Sequence, residues 1–121
     1  MPSYSVNDTY TPDNLIAGSY PQTSKPVTLA ASAGVLPRGA VLGQVAATGK
    51  YVLSTAAAVD GSQNVDCILA EAVDASSQEV AASAFESGEF NQDAITLGAG
   101  HTVDSVRKAL RDINIYLRKV K

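Results

Sequence analysis

The chain reads as one mainly β domain, a β-rich α+β fold of short strands, with one C-terminal helix and an extended N-terminal arm. Three observations predict this. All five prolines, Pro2, Pro12, Pro21, Pro26 and Pro37, lie in the first 37 residues. From Gly39 to Glu71 short apolar runs alternate with glycine-bearing turns. Helical periodicity appears convincingly only after Thr102. Proline fixes φ, removes a donor and pushes its predecessor toward extended backbone. Residues 1–26 are therefore expected as an arm that forms neither a helix nor a central strand, and residues 27–121 as the β-rich domain.

The arm is not simply polar. It carries Tyr4, Val6, Tyr10, Leu15, Ile16 and Tyr20 at intervals, more apolar and aromatic material than a segment that stays disordered. These six residues are the candidate contacts of a segment that orders on a partner.

Val27 to Ala30 is strand-like. Ala40–Ala46 and Lys50–Ser54 flank Ala47-Thr48-Gly49, the pattern of a hairpin. Asp60-Gly61-Ser62 signals a turn. From Val65 to Val73 both alternating phases are mostly apolar, as in a strand covered on both sides. Glu79–Glu86 is expected as a strand that Ser87-Gly88 turns into Glu89-Phe90. Ala94 to Leu97 is a further short strand.

Thr102 is a good N-cap, and Asp104 complements the positive helix end. Val103, Val106, Leu110 and Ile113 form one stripe, with Arg107, Lys108, Arg111 and Asp112 on the other face. Asp104 and Lys108 are spaced to pair. Asn114 is placed to stop the helix, and Ile115, Tyr116 and Leu117 read as a last strand.

Leu, Ile, Val and Phe make 29 of the 121 residues, above the roughly 20% that marks disorder. There is no Trp and there are only two Phe. Much of the apolar content is Ala, which contributes far less per side chain than Leu. Association with further copies would supplement so lean a core. The net charge of −3 argues against nucleic-acid binding, which needs a basic face. Arg111 to Lys121 is the one locally basic stretch. No apolar run approaches a membrane span. The first ten residues have neither a basic start nor an apolar stretch, so no signal peptide is expected. The chain is expected in a cytoplasm, at least until assembly.

Reactive groups are few. His101 is the only histidine, with no ligand set or nucleophile nominated beside it. Cys67, the only cysteine, sits mid-strand beside Asp66, which disfavours a thiolate; it reads as a small buried hydrophobe. Gly98-Ala99-Gly100-His101-Thr102 opens a helix but lacks a phosphate loop's lysine and context, and Asp104 would repel an anion. Lys50 beside a hairpin suggests a carrier-domain acceptor, yet it begins a strand. Glu71, Asp74, Glu79, Glu86 and Glu89 fall at strand ends and turns, where solvation is the default. No catalytic, cofactor-binding or metal-ligating residue is assigned, and an enzyme is not expected. A non-viral small β binding or carrier module is the alternative reading.

Taken in order, Gly39-Ala40-Val41-Leu42-Gly43, Gly49-Lys50-Tyr51-Val52-Leu53-Ser54, Asp60-Gly61-Ser62-Gln63 and Ile68-Leu69-Ala70-Glu71 resemble the head decoration protein family of tailed bacteriophages. Gly88-Glu89-Phe90-Asn91, Leu97-Gly98-Ala99-Gly100-His101-Thr102, Ala109-Leu110-Arg111 and Ile115-Tyr116-Leu117 continue the likeness, which spans Leu15 to Leu117. The fuller helix and basic tail depart from the lambda-type member. The resemblance implies a homotrimer on the outside of the expanded virion capsid, at local three-fold positions. Its partner would be the major capsid protein, with no direct nucleic-acid contact and no membrane. It also implies that the arm, through Tyr4, Val6, Tyr10, Leu15, Ile16 and Tyr20, extends a sheet with capsid-protein segments.

Overall fold

The computed structural model describes residues 15–119. Eight strands and one helix follow in order: β1 Thr23–Leu29, β2 Gly34–Leu36, β3 Val41–Gln44, β4 Tyr51–Leu53, β5 Val65–Leu69, β6 Val73–Ala75, β7 Val80–Asn91, α1 Val103–Arg111 and β8 Ile115–Arg118. Sheet order is β1-β4-β3-β5-β7-β8, and β1 also pairs β7. That extra pairing closes five strands into a small barrel. β2 and β6 form a separate two-stranded ribbon.

The hairpin stands where the sequence places it. β3 pairs antiparallel with β4, from Leu42 opposite Leu53 to Gln44 opposite Tyr51, with Gly49 near its tip. β5 is covered on both sides, as its two apolar phases predict. Cys67 and Leu69 face the barrel interior, while Ile68 packs outside it with Val41 and Phe90.

Several expectations are corrected. Ala94–Leu97 is not a strand and keeps only a parallel bridge of Thr96 with Ala40. The run Val65–Val73 is not one strand. It breaks after Leu69, where the Ala70 N–H donates to the Ser83 carbonyl and Glu71 accepts from the Ser83 N–H. Ser87-Gly88 is not a reversal either. β7 continues through it without reversing, over 12 residues. Glu86 bulges out between the Ser24–Phe85 and Thr23–Ser87 pairs, and Gly88 sits at φ 145°, where a side chain would be strained. The bulge and glycine bend β7, so its first half closes the barrel and its second half pairs β8 in parallel. Finally, β1 begins at Thr23 and contains Pro26 inside the barrel wall. Along Thr23–Thr28 its only partner is β7, because β4 meets it at Leu29 alone. Pro26 therefore has a side with no strand to receive an N–H, the setting in which a strand tolerates proline.

The barrel interior is small-residue packing: Ala40, Ala75, Ala82, Ala84 and Cys67 fit between Val27, Leu29, Leu36, Leu42 and Leu69. A second core lies outside the barrel wall. Leu15, Val41, Ile68, Phe90, Val106, Leu110, Ile115 and Leu117 bury one another between β7, α1 and β8. Helix α1 is capped as expected by Thr102, which accepts from the Ser105 N–H; Ser105 returns the bond to the Thr102 N–H, completing a capping box. Lys108 pairs with Asp112 at 3.4 Å rather than with Asp104. Asn114, at φ 70°, ends the turn after the helix and turns the chain into β8. No helix among the described residues is long and apolar enough to cross a membrane.

Phe90 is fully buried at the centre of the second core. Phe90→Ala is expected to cost about 3–5 kcal/mol in denaturant unfolding, with a similar loss for no solvent-facing residue of β7.

Candidate functional site

The arm meets the domain along the far half of β7. The Asn91 N–H donates to the Leu15 carbonyl at 2.7 Å, and the Ala17 N–H donates to the Glu89 carbonyl at 2.9 Å. These two bonds frame an antiparallel bridge of Ile16 with Phe90. The root of the arm thus lies on one side of the β7 extension and β8 on the other. Leu15 explains the attachment: its side chain is 2% exposed and belongs to the second core.

Glu89 fixes the next turn of chain. One carboxylate oxygen accepts from the Tyr20 N–H at 2.9 Å, and the other accepts from Arg118 Nη1 at 2.8 Å. The chain crosses this carboxylate at Gly18, where a Cβ would overlap it. Tyr20 then packs edge-on against Tyr116, with ring centroids 4.9 Å apart. Ser87 Oγ donates to the Pro21 carbonyl at 3.0 Å, which delivers the chain to β1.

The six candidate contacts thus separate. Tyr4, Val6 and Tyr10 lie outside the described residues. Leu15 is buried in the domain's own core, Ile16 is half-buried against Phe90, and Tyr20 remains 37% exposed. The residues that hold the root, Glu89, Asn91, Tyr116 and Arg118, were not singled out as an arm mount by sequence. Their roles depend on contacts between residues 29 to 96 positions apart along the chain, and periodicity carries no such signal.

Beside the root a cleft of about 520 Å³ opens, lined among others by Tyr20, Lys25, Asp66 and Glu86. Asp66 is the bulged residue between the Gly43–Val65 and Leu42–Cys67 pairs. The bulge brings its carboxylate to Lys25 Nζ at 2.7 Å. Burial pulls the Lys25 ammonium down, but its bonds to Asp66 and Tyr51 outweigh that and leave it raised. The cleft's cation is thereby compensated within the chain.

The groups with chemical potential are engaged structurally. Ser54 Oγ lies 3.1 Å from His101 Nε2, but Ser54 is fully buried and the pair does not line the cleft beside the root. Burial, reinforced by the Asp66 charge, pushes the Cys67 thiol up to about 12. Lys50 forms an ion pair with Glu79. Glu71 receives the Ser83 N–H, and Asp74 receives the N–H and hydroxyl of Ser76. Among the described residues no group of three or more His, Cys, Asp or Glu side chains could hold a metal.

The fold is a small closed barrel with a sheet extension that holds the root of the N-terminal arm. The family model of the bacteriophage lambda head decoration protein D matches residues 5–115. The chain belongs to that family, and its role is that of a non-enzymatic phage decoration protein of the capsid. No individual curated protein matches the sequence.

Two expectations test this site. Glu89→Ala removes the acceptor of both Tyr20 and Arg118. It should lower the local stability of the root by roughly 1–3 kcal/mol, read as faster hydrogen exchange at Tyr20 while β3 and β5 stay protected. Cys67 should react with thiol reagents at neutral pH only as fast as the protein unfolds. Its thiol ionises more readily in the unfolded chain, so folding stability should fall as pH rises from about 9 toward 12. Raised Tyr51 and Lys25 act in the same direction. Cys67→Ala should therefore flatten that alkaline decline in part, and an unchanged slope would count against it.

Proposed function

We propose that the protein is a homotrimeric head decoration protein. It binds the outer surface of the expanded capsid at local three-fold positions and stabilises the shell against the pressure of packaged DNA. The partner is the major capsid protein, and before assembly the protein is free in the host cytoplasm. The observation that carries this reading is the family membership of residues 5–115 together with the fixed mount of the arm at Leu15–Tyr20.

The physical logic follows from that mount. Residues 1–14 start from a fixed point, and fourteen residues can reach about 50 Å if fully extended. An extended segment can add a strand to an exposed sheet edge and gain main-chain hydrogen bonds. Ordering it costs about 1–2 kcal/mol per residue in backbone entropy, so one arm binds modestly. Three arms on one trimer engage together, and their avidity can raise affinity by ~10²–10⁴. An acceptor edge formed only in the expanded shell would make binding select that state, and binding then stabilises it by linkage. Within this scheme Tyr4, Val6, Tyr10 and Tyr20 supply contacts, while Leu15 and Ile16 hold the arm to the domain.

Deleting residues 1–14 should abolish co-sedimentation with expanded capsids while leaving the unfolding transition of the domain in place; retained binding would refute the arm mechanism. Light scattering of the full chain at micromolar concentration should give three times the chain mass. A monomeric mass would refute the preformed trimer.

A further inference from the structure

We propose that the carboxamide of Asn91 is a second tether for the arm. Its Nδ2–H donates to a main-chain carbonyl of Asp13 or Asn14 and so fixes the direction in which the arm leaves the domain. Among the described residues the buried polar side chains are Ser54, Ser62 and Asn91. Ser54 Oγ lies 3.1 Å from His101 Nε2, and Ser62 Oγ donates to Asp60 at 2.6 Å. Asn91 is the exception. It is 2% exposed, yet its Nδ2 has no acceptor among the described residues, and its one side-chain bond is made by Oδ1.

Every other polar group of Asn91 is in use. Its N–H donates to the Leu15 carbonyl at 2.7 Å, and its C=O accepts from the Ala94 N–H at 3.0 Å. Its Oδ1 accepts from the Asp93 N–H at 3.0 Å. That last bond fixes which end of the carboxamide is which, because a flipped amide would set its NH2 against the Asp93 N–H, donor to donor. The turn needs only an acceptor, which Asp or Ser would also supply. Asparagine adds two N–H donors, and burying donors without an acceptor is costly. The amide is therefore surplus to the turn and calls for a partner.

The arm's own chain is the occupant that the geometry favours. The carbonyls nearest in the fold are already engaged: Leu15 by Asn91 itself, Glu89 by the Ala17 N–H, Arg118 by the Gln92 N–H and Leu117 by Arg107. The next carbonyls along the chain belong to Asn14 and Asp13. They directly precede the residue whose carbonyl lies 2.7 Å from the Asn91 nitrogen, and two residues of chain span at most about 7 Å. They are thus held close to the Asn91 side chain by covalent connection. A single buried water would need further polar partners of its own, and the neighbouring carbonyls are engaged. Burial of Leu15 fixes where the arm starts, and the bond from Asn91 fixes where it points. The tether acts within one chain and stands whether or not the arm binds a capsid.

The test is NMR on the isotope-labelled full chain with the Asn91 side-chain amide assigned. Coupling through the hydrogen bond should connect Asn91 Nδ2 to the main-chain carbonyl of Asp13 or Asn14. Coupling to any other carbonyl, or to none, overturns the proposal. Cross-relaxation of the Nδ2 protons with water in place of that coupling would make Asn91 a bound-water site, and also overturns it. Asn91→Asp and Asn91→Ser both keep an acceptor for the Asp93 N–H and lose the amide. The neutral serine serves if a buried carboxylate unfolds the domain. In the folded variant the backbone order parameter at Asp13 and Asn14 should fall from about 0.85 to about 0.6, while Ile16, Ala17, Asp93 and Ala94 keep theirs. Unchanged order at Asp13 and Asn14 refutes the tether. So does an equal loss at Asp93 and Ala94, which would give Asn91 a role in the turn alone.

Discussion

Strand β7 has to serve two sheets, and the rest of the molecule is arranged around that requirement. Its first half must lie between β5 and β1 to close the barrel. Its second half must leave the barrel to pair β8 and the root of the arm. A straight strand cannot do both, because the barrel wall curves away. The Glu86 bulge and Gly88 supply the bend, and Phe85 and Phe90 lie on either side of it with ring centroids 5.3 Å apart. The hinge is thus packed against aromatic bulk and holds one direction.

That division explains why a small chain with few large apolar residues has two cores. The five-stranded barrel has a narrow interior, where alanines and one cysteine pack between Val27, Leu29, Leu36, Leu42 and Leu69. A second set of large residues, Phe90 among them, gathers outside the wall, where α1 and β8 cover apolar surface that would otherwise meet water. Leu15 completes this second core from the arm side. The arm root is consequently part of the fold's hydrophobic packing, and it holds its position through burial as well as through hydrogen bonds.

The same end of the molecule gathers the polar features relevant to contact. Glu89 receives the arm's main chain and neutralises Arg118, while among the described residues Arg107 has neutral acceptors and Arg111 has no carboxylate partner. The charge of the chain is therefore unevenly placed: net acidic overall, with Arg107, Arg111 and Arg118 lining one cleft beside the arm root.

The sequence by itself determined the local structure. Thr102 predicted the helix start, Asn114 its stop, Ala47-Thr48-Gly49 the hairpin, and the doubled apolar phase of Val65–Val73 a strand buried on both faces, which the structure confines to Val65–Leu69. Each is a consequence of near-neighbour chemistry. The family was legible too, from segments in register along the chain. What the sequence misread were places where distant partners override local preference. Ser87-Gly88 looks like a turn until β8 and the arm pair with the strand beyond it, and Pro26 looks excluded from a barrel until one side of β1 is seen to lack a neighbour. Leu15 as the anchor of the arm root and Glu89 as its clasp were not legible in the sequence. Only the tertiary structure decided those, because burial and charge pairing between residues so far apart in sequence exist only after β7 has bent and brought them together.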